Sequence, residues 1–219
     1  MTGLAGILTG RVMNEFSDSS AADIRRADEL ITRTLAIPPN NTRAHHEKGQ
    51  ILRWQRRIEE AIVEYERVIA DDRNWAGAYA RLGWCKFQSS GSASEAIPLV
   101  ERGIQLSPRD PGVPNWSMFI GFMLLLTSST DEALMWLEKA RSGNARRAGI
   151  LRPLAAAYAL KGDSRGASDI LREALRLGDT DAMSLARVRT RGIFAFPKIR
   201  ALAEGTYFLG LRLAGMPEE

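Results

Sequence analysis

Cysteine occurs once in this sequence, as Cys85, and histidine twice, as the adjacent pair His45 and His46. A single thiol excludes a disulfide framework within one chain and a cysteine zinc site, and points to a reducing compartment. Adjacent histidines lie about 100° apart on a helix, so they do not form the i, i+4 pair that grips a metal from one face. No run approaches the roughly 18–20 apolar residues that a membrane span needs. The opening residues lack a basic segment, and Gly3, Gly6 and Gly10 interrupt their apolar stretch, so no targeting signal is read there and a cytoplasmic location is expected. The phosphate loop Gly-x-x-x-x-Gly-Lys-Ser/Thr, a strand-linked Gly-x-Gly-x-x-Gly and His-Glu-x-x-His are all missing. The expectation is a protein without cofactor, metal or catalysis of its own.

What is present is ordinary globular composition: 219 residues, 45% apolar, 26% charged, with a mean hydropathy of -0.20. The net charge of +4 hides an asymmetry, because residues 141–212 hold 14 basic and only 6 acidic side chains. That basic third is read mainly as a solvated surface; a nucleic-acid contact through Arg187, Arg189 and Arg191 is the sharper alternative, and it is disfavoured.

The strongest signal is internal repetition. Ala27, Ala61, Ala96, Ala133 and Ala167 recur in similar contexts at spacings of 34, 35, 37 and 34 residues. Twelve residues before the alanine come Gly49, Gly121 and Ala155, with Gly83 thirteen before because of one extra residue in the turn at 88–92. Four after it stand Ile31, Tyr65, Val100, Leu137 and Leu171, and seven after it Thr34, Val68, Gly103, Ala140 and Ala174. Small residues let two helix axes approach, bulky ones fill the space beside them, and Pro39 or Pro108 twelve residues on stops the second helix. One such hairpin cannot bury its apolar face alone, whereas stacked hairpins share a continuous core.

These phased positions resemble the tetratricopeptide repeat (TPR). The best unit is Ala76 to Asp110, with Tyr79, Leu82, Gly83, Ala96 and Pro108; others span about 2–40, 42–75, 114–147 and 148–181. The resemblance implies an all-α, right-handed superhelical solenoid of about five helical hairpins, with a C-terminal capping helix. Helices are expected at 3–16, 20–36, 42–54, 58–70, 75–88, 93–106, 115–127, 130–141, 148–160, 164–177, 181–190 and 197–213. Asp131 and Asp163 are expected as capping or first-turn acids, and Cys85 as a buried, inert thiol.

The run from about Ala21 to Glu219 is also similar to the C-terminal TPR region of certain alphaproteobacterial signalling proteins. There the repeats follow an adenylate/guanylate cyclase or winged-helix domain. The similar stretches include Leu82-Gly83-Trp84-Cys85-Lys86, Gln105-Leu106-Ser107-Pro108-Arg109-Asp110-Pro111, Trp136-Leu137-Glu138-Lys139-Ala140-Arg141 and Pro197-Lys198-Ile199-Arg200-Ala201-Leu202. That likeness implies a regulatory region acting on a neighbouring domain in cis.

In the TPR frame the first helix of each unit lines the concave groove. The groove candidates are Arg43, His46, Gln50, Arg53 and Trp54 at a basic, polar end; Trp84, Phe87, Met118 and Phe122 as an apolar middle; and Arg152 beyond it. Trp84 and Phe122 are the expected anchors, and the arginines would orient acidic groups. A patch of this size is not expected to stay bare. Its occupants would be a protein or peptide partner, a second copy of the chain, or the chain's own helix 197–213; the plainer alternative is that these side chains only pack between adjacent repeats. The lysine and asparagine pattern of chaperone-tail-binding relatives is missing, since His46, Gln50, Ala80 and Trp84 stand at those positions. The expected function is a protein–protein interaction scaffold.

Overall fold

A computed structural model describes residues 3, 4, 6, 7, 20–36, 40–143 and 148–219 of the chain. Among the described residues from Ser20 to Arg176, nine helices follow one another in antiparallel succession: α1 (Ser20–Ala36), α2 (Thr42–Trp54), α3 (Ile58–Asp71), α4 (Ala76–Ser90), α5 (Ala93–Leu106), α6 (Val113–Leu126), α7 (Thr130–Gly143), α8 (Ala148–Leu160) and α9 (Ser164–Arg176). No strand occurs among the described residues. The first expected helix, 3–16, lies largely outside the described residues.

The hairpins pair α2 with α3, α4 with α5, α6 with α7 and α8 with α9, and each pair packs on the next. The repeating small residues explain how closely. A Cβ added to Gly83 would sit 2.6 Å from the carbonyl oxygen of Ala96, so this glycine and alanine are where α4 and α5 touch. The bulky residue of each phase fills the space beside that contact: Tyr65, Val100 and Leu137 are fully buried. Side chains begin the helices where the free N–H groups need acceptors. Asn41 Oδ1 accepts from the Ala44 N–H at 2.9 Å, and Asp163 Oδ1 from the Gly166 N–H at 2.8 Å. Asp131 lies in the first turn of α7.

Helix α6 departs from the amphipathic rule. It carries no charged residue and is buried on almost every side, from Trp116 through Leu126. A helix apolar all round needs cover on all faces, and its own hairpin partner and neighbours supply only part of it.

The C-terminal stretch supplies the rest, in a form the sequence reading did not anticipate. The helix expected at 181–190 is a 3₁₀ turn (Thr180–Met183), an extended Ser184 and a short α10 (Leu185–Arg189). Ser184 breaks the run because its hydroxyl accepts the Arg187 N–H at 3.3 Å and so caps α10. A second 3₁₀ turn (Gly192–Ala195) leads to α11 (Pro197–Glu204) and α12 (Tyr207–Leu213). The single helix expected over 197–213 is therefore two, divided at Gly205 and Thr206, where Thr206 leaves helical geometry (φ -128, ψ -85). The break lets α12 lie along α8 while α11 reaches α4 and α6. A Cβ on Gly210 would fall 2.5 Å from the Ala156 carbonyl oxygen, so only glycine permits this approach of α12 to α8. The tail then returns to α10: the Leu185 and Ala186 N–H groups donate to the carbonyls of Pro217 and Glu218, each at 2.9 Å.

Candidate partner-binding site

The first helices of the hairpins, α2, α4, α6 and α8, carry all ten groove candidates. They divide sharply by environment.

In the middle, Trp84, Phe87 and Phe122 are buried, with 8%, 0% and 6% exposure. Their cover is aromatic and comes from the same chain. Trp84 stacks on Phe119 at 4.4 Å between ring centroids, and Phe122 meets Tyr207 edge-on at 5.2 Å and Phe194 at 6.4 Å. Phe194 in turn lies 4.8 Å from Phe208 and 5.7 Å from Tyr207. Removing one such side chain from water is worth roughly 1.5–3 kcal/mol, so this cluster is a substantial part of the fold. Met118 is partly buried at its edge. Trp84 and Phe122, the expected anchors, are thus side chains of the core in this structure.

Arg152 is likewise engaged from within. It is 5% exposed and its guanidinium lies 3.2 Å from Asp179 and 2.9 Å from Asp181, with Arg191 also paired to Asp181. Burial would raise the Asp181 carboxyl, but the two guanidiniums outweigh it and hold the group below its ordinary value. Asp179 is more deeply placed and burial wins, keeping its carboxyl above the ordinary range. Tyr207, beside this cluster, is pushed up to about 12 by burial. Other arginines of the basic third are also internally engaged. Arg189 pairs with Glu218 at 3.1 Å and Glu204 at 3.6 Å and lies over Phe208, and Arg212 pairs with Glu218 at 2.5 Å.

The α2 end differs. Arg43 is exposed, Trp54 is 42% exposed and Arg53 is partly buried. His46 and Gln50 are buried, and His46 packs between the rings of Tyr65 (5.9 Å) and Trp75 (5.3 Å). Burial holds the His46 imidazole below its ordinary value. Next to it stands Arg81 of α4, which the repeat frame did not assign to the groove. Burial chiefly lowers its pKa, and the nearby Arg53 charge adds to that. No single-residue signal in the sequence marks Arg81, because its importance depends on what α2 places opposite it. A cavity of about 430 Å³ opens here, lined by His46, Trp75, Gly77, Arg81 and Trp116 among others.

Cys85 is buried and free, and burial pushes its thiol up to about 12, a range in which it is protonated at neutral pH. His45 is held by Glu64 at 2.5 Å, on the hairpin side of α2. Among the described residues no three His, Cys, Asp or Glu side chains converge, and no helix is long and apolar enough to cross a membrane.

No protein-family model matches the chain, and no curated protein matches it. Solved structures do. The crystal structure of MamA is similar at 22% identity and a TM-score of 0.59, covering 74% of this chain and 92% of that one. YrrB, described as a TPR protein with an unusual peptide-binding site, is similar at 18% identity and 0.54, covering 74% and 81%. PilW, described as a widely conserved type IV pilus biogenesis factor, is similar at 14% identity and 0.68, covering 95% and 96%. The class is therefore an all-helical TPR solenoid; at these identities the likeness is one of fold.

Proposed function

We propose that this chain is a non-catalytic protein-interaction scaffold whose contact surface is the α2 end of the concave face, formed by Arg43, His46, Gln50, Arg53 and Trp54. The occupant would be a peptide, a helix or a neighbouring domain. The observation that carries this reading is uneven cover: Trp54 is 42% exposed, while Trp84 is buried against Phe119 and Phe122, and Phe122 lies against the C-terminal aromatics Phe194 and Tyr207. Trp84, Phe87, Met118, Phe122 and Arg152 then serve as the rigid support of the site. Exposed tryptophan and arginine are the residue types that most often carry binding energy at interfaces, and a rigid platform reduces the ordering cost of binding.

The test is site-specific photo-crosslinking in lysate of the source cells, with a benzophenone side chain at position 54 or, as a control, at Met135, which is 73% exposed on α7. A protein crosslinked from position 54 and absent from position 135 is the expected result. Identical patterns from the two positions would rule out a specific surface at the α2 end.

A further inference from the structure

In a stacked solenoid each hairpin touches only its neighbours, so the two ends are free to move independently. The C-terminal segment departs from that rule by meeting the first helix of all four hairpins from α2 to α9. Gly192 lies at the turn that ends α2, where a Cβ added to it would sit 3.4 Å from both Nε and Nη2 of Arg56. Helix α11 lies at the end of α4, where a Cβ on Gly91 would be 3.6 Å from Cβ of Lys198 and from Cδ1 of Leu202. Phe194 meets Phe122 of α6 at 6.4 Å between ring centroids, and Gly210 lies on the Ala156 backbone of α8.

The turns that end α2, α4, α6 and α8 each hold one residue at positive φ: Arg56 (62°), Gly91 (75°), Ser128 (66°) and Gly162 (90°). Glycine takes this conformation freely, whereas a residue with a Cβ is strained in it. Arg56 bears that strain, and its guanidinium lies on a residue that has no side chain. A flat guanidinium against bare backbone allows an approach that any Cβ at position 192 would crowd. Phe196, four residues on, packs against two distinct buried clusters. One is built from α2, α3 and α4 and includes Leu52, Tyr65 and Leu82; the other is the main core, which runs from α4 to the C-terminal tail. The same short stretch therefore reaches the first complete hairpin by a polar contact and by an apolar one.

We propose that residues 192–210 are a brace across the solenoid, tying the α2–α3 hairpin to the C-terminal segment so that the two open together. Such a tie restrains the small rotations between hairpins that set a solenoid's curvature. It also couples the α2 end to residues far along the chain, and that coupling is reciprocal. The brace rests on these contacts and not on what occupies the α2 end.

The test is amide hydrogen exchange of the full chain, read by mass spectrometry, in two variants that perturb the brace from opposite ends. Phe196→Ala is expected to speed exchange about fivefold or more both in 192–204 and in α2–α3, and less than about twofold in α9, which is nearer in sequence. Faster exchange confined to the C-terminal segment and α8–α9 is the outcome of a plain nearest-neighbour solenoid and would overturn the proposal. An equal rise in every helix would show a general loss of stability and would also overturn it. Arg56→Gly relieves the turn's backbone and is not expected to unfold the chain, so it decides the matter should Phe196→Ala fail to fold. It is expected to speed exchange in 192–204 about twofold or more. Unchanged exchange in 192–204 would mean that Arg56 and Gly192 are merely near each other, and the brace would be withdrawn.

Discussion

The two ends of the concave face are built from the same repeat and finished in opposite ways. Around α6 and α8 the face is closed by Phe194, Tyr207 and Phe208, and its buried arginine meets two carboxylates of the same chain. Around α2 and the first half of α4, Trp54 faces solvent and, among the described residues, Arg53 and Arg81 form no salt bridge, with Glu47 acting on Arg81 from beyond that distance. The helices at both ends obey the same packing rules, so repeat geometry does not cause the contrast. It arises from where the C-terminal segment runs. The segment breaks at Ser184 and at Gly205–Thr206, and the second break sets α12 against α8 rather than past it. Part of the concave face is thus core in this chain, while the α2 end stays open.

The contrast can be broken most severely from the closed side. Phe208 is fully buried among Phe194, Tyr207 and the guanidinium of Arg189. Phe208→Ala is expected to cost about 3–5 kcal/mol by the usual loss and cavity terms, measured by denaturant unfolding. A cost below about 1 kcal/mol would show that the segment is not part of the core.

One substitution type applied at both ends sharpens the comparison. Arg152→Met leaves the mostly buried Asp179 without its counter-ion and is expected to destabilise by about 3 kcal/mol. Arg81→Met removes a buried cation that forms no salt bridge among the described residues and feels Glu47 only at longer range, and it is expected to change stability by less than about 1 kcal/mol. Equal losses from the two variants would show that both arginines act alike and would dissolve the distinction.

A smaller effect follows from His46. Burial lowers its pKa in the folded state, so below the ordinary value of 6.5 the unfolded chain takes up a proton that the folded chain does not. Stability from this residue is therefore complete above about pH 6.5 and declines as pH falls toward the folded pKa. The melting temperature is expected to drop between pH 7.5 and 5.5, and His46→Gln is expected to flatten that drop. A profile unchanged by the substitution would place His46 in water rather than between Tyr65 and Trp75.

Much of the solenoid is legible in the sequence because its determinants are local and repeated. Gly83 and Ala96 mark one close contact twice, once from each helix, and Asp163 marks a helix start that the structure shows capped. The helix ends from α2 to α9 fall within about two residues of expectation for the same reason. The C-terminal segment is read less well, because its path is set by what it covers. The apolar stripe over 197–213 continues through Gly205–Thr206, and nothing local in that stripe announces the turn. One signal did exist: α6 carries no charge on any face, which demands more cover than two neighbouring hairpins provide. Of the candidate site, residue types along α2 were legible, while Arg81 emerges only when α2 and α4 are placed side by side. The carboxylates that engage Arg152 lie 27 and 29 residues downstream, beyond the range of any motif.

The most direct test of a face half closed and half open is hydroxyl-radical footprinting of the intact chain, read residue by residue by mass spectrometry. Trp54 is expected to be oxidised rapidly, and Trp84, Phe122, Tyr207 and Phe208 to be protected in proportion to their exposures of 8%, 6%, 3% and 0%. Oxidation of Phe122, Tyr207 and Phe208 at the rate of Trp54, after allowance for intrinsic reactivity, would mean that the C-terminal segment does not close the face and would contradict the account.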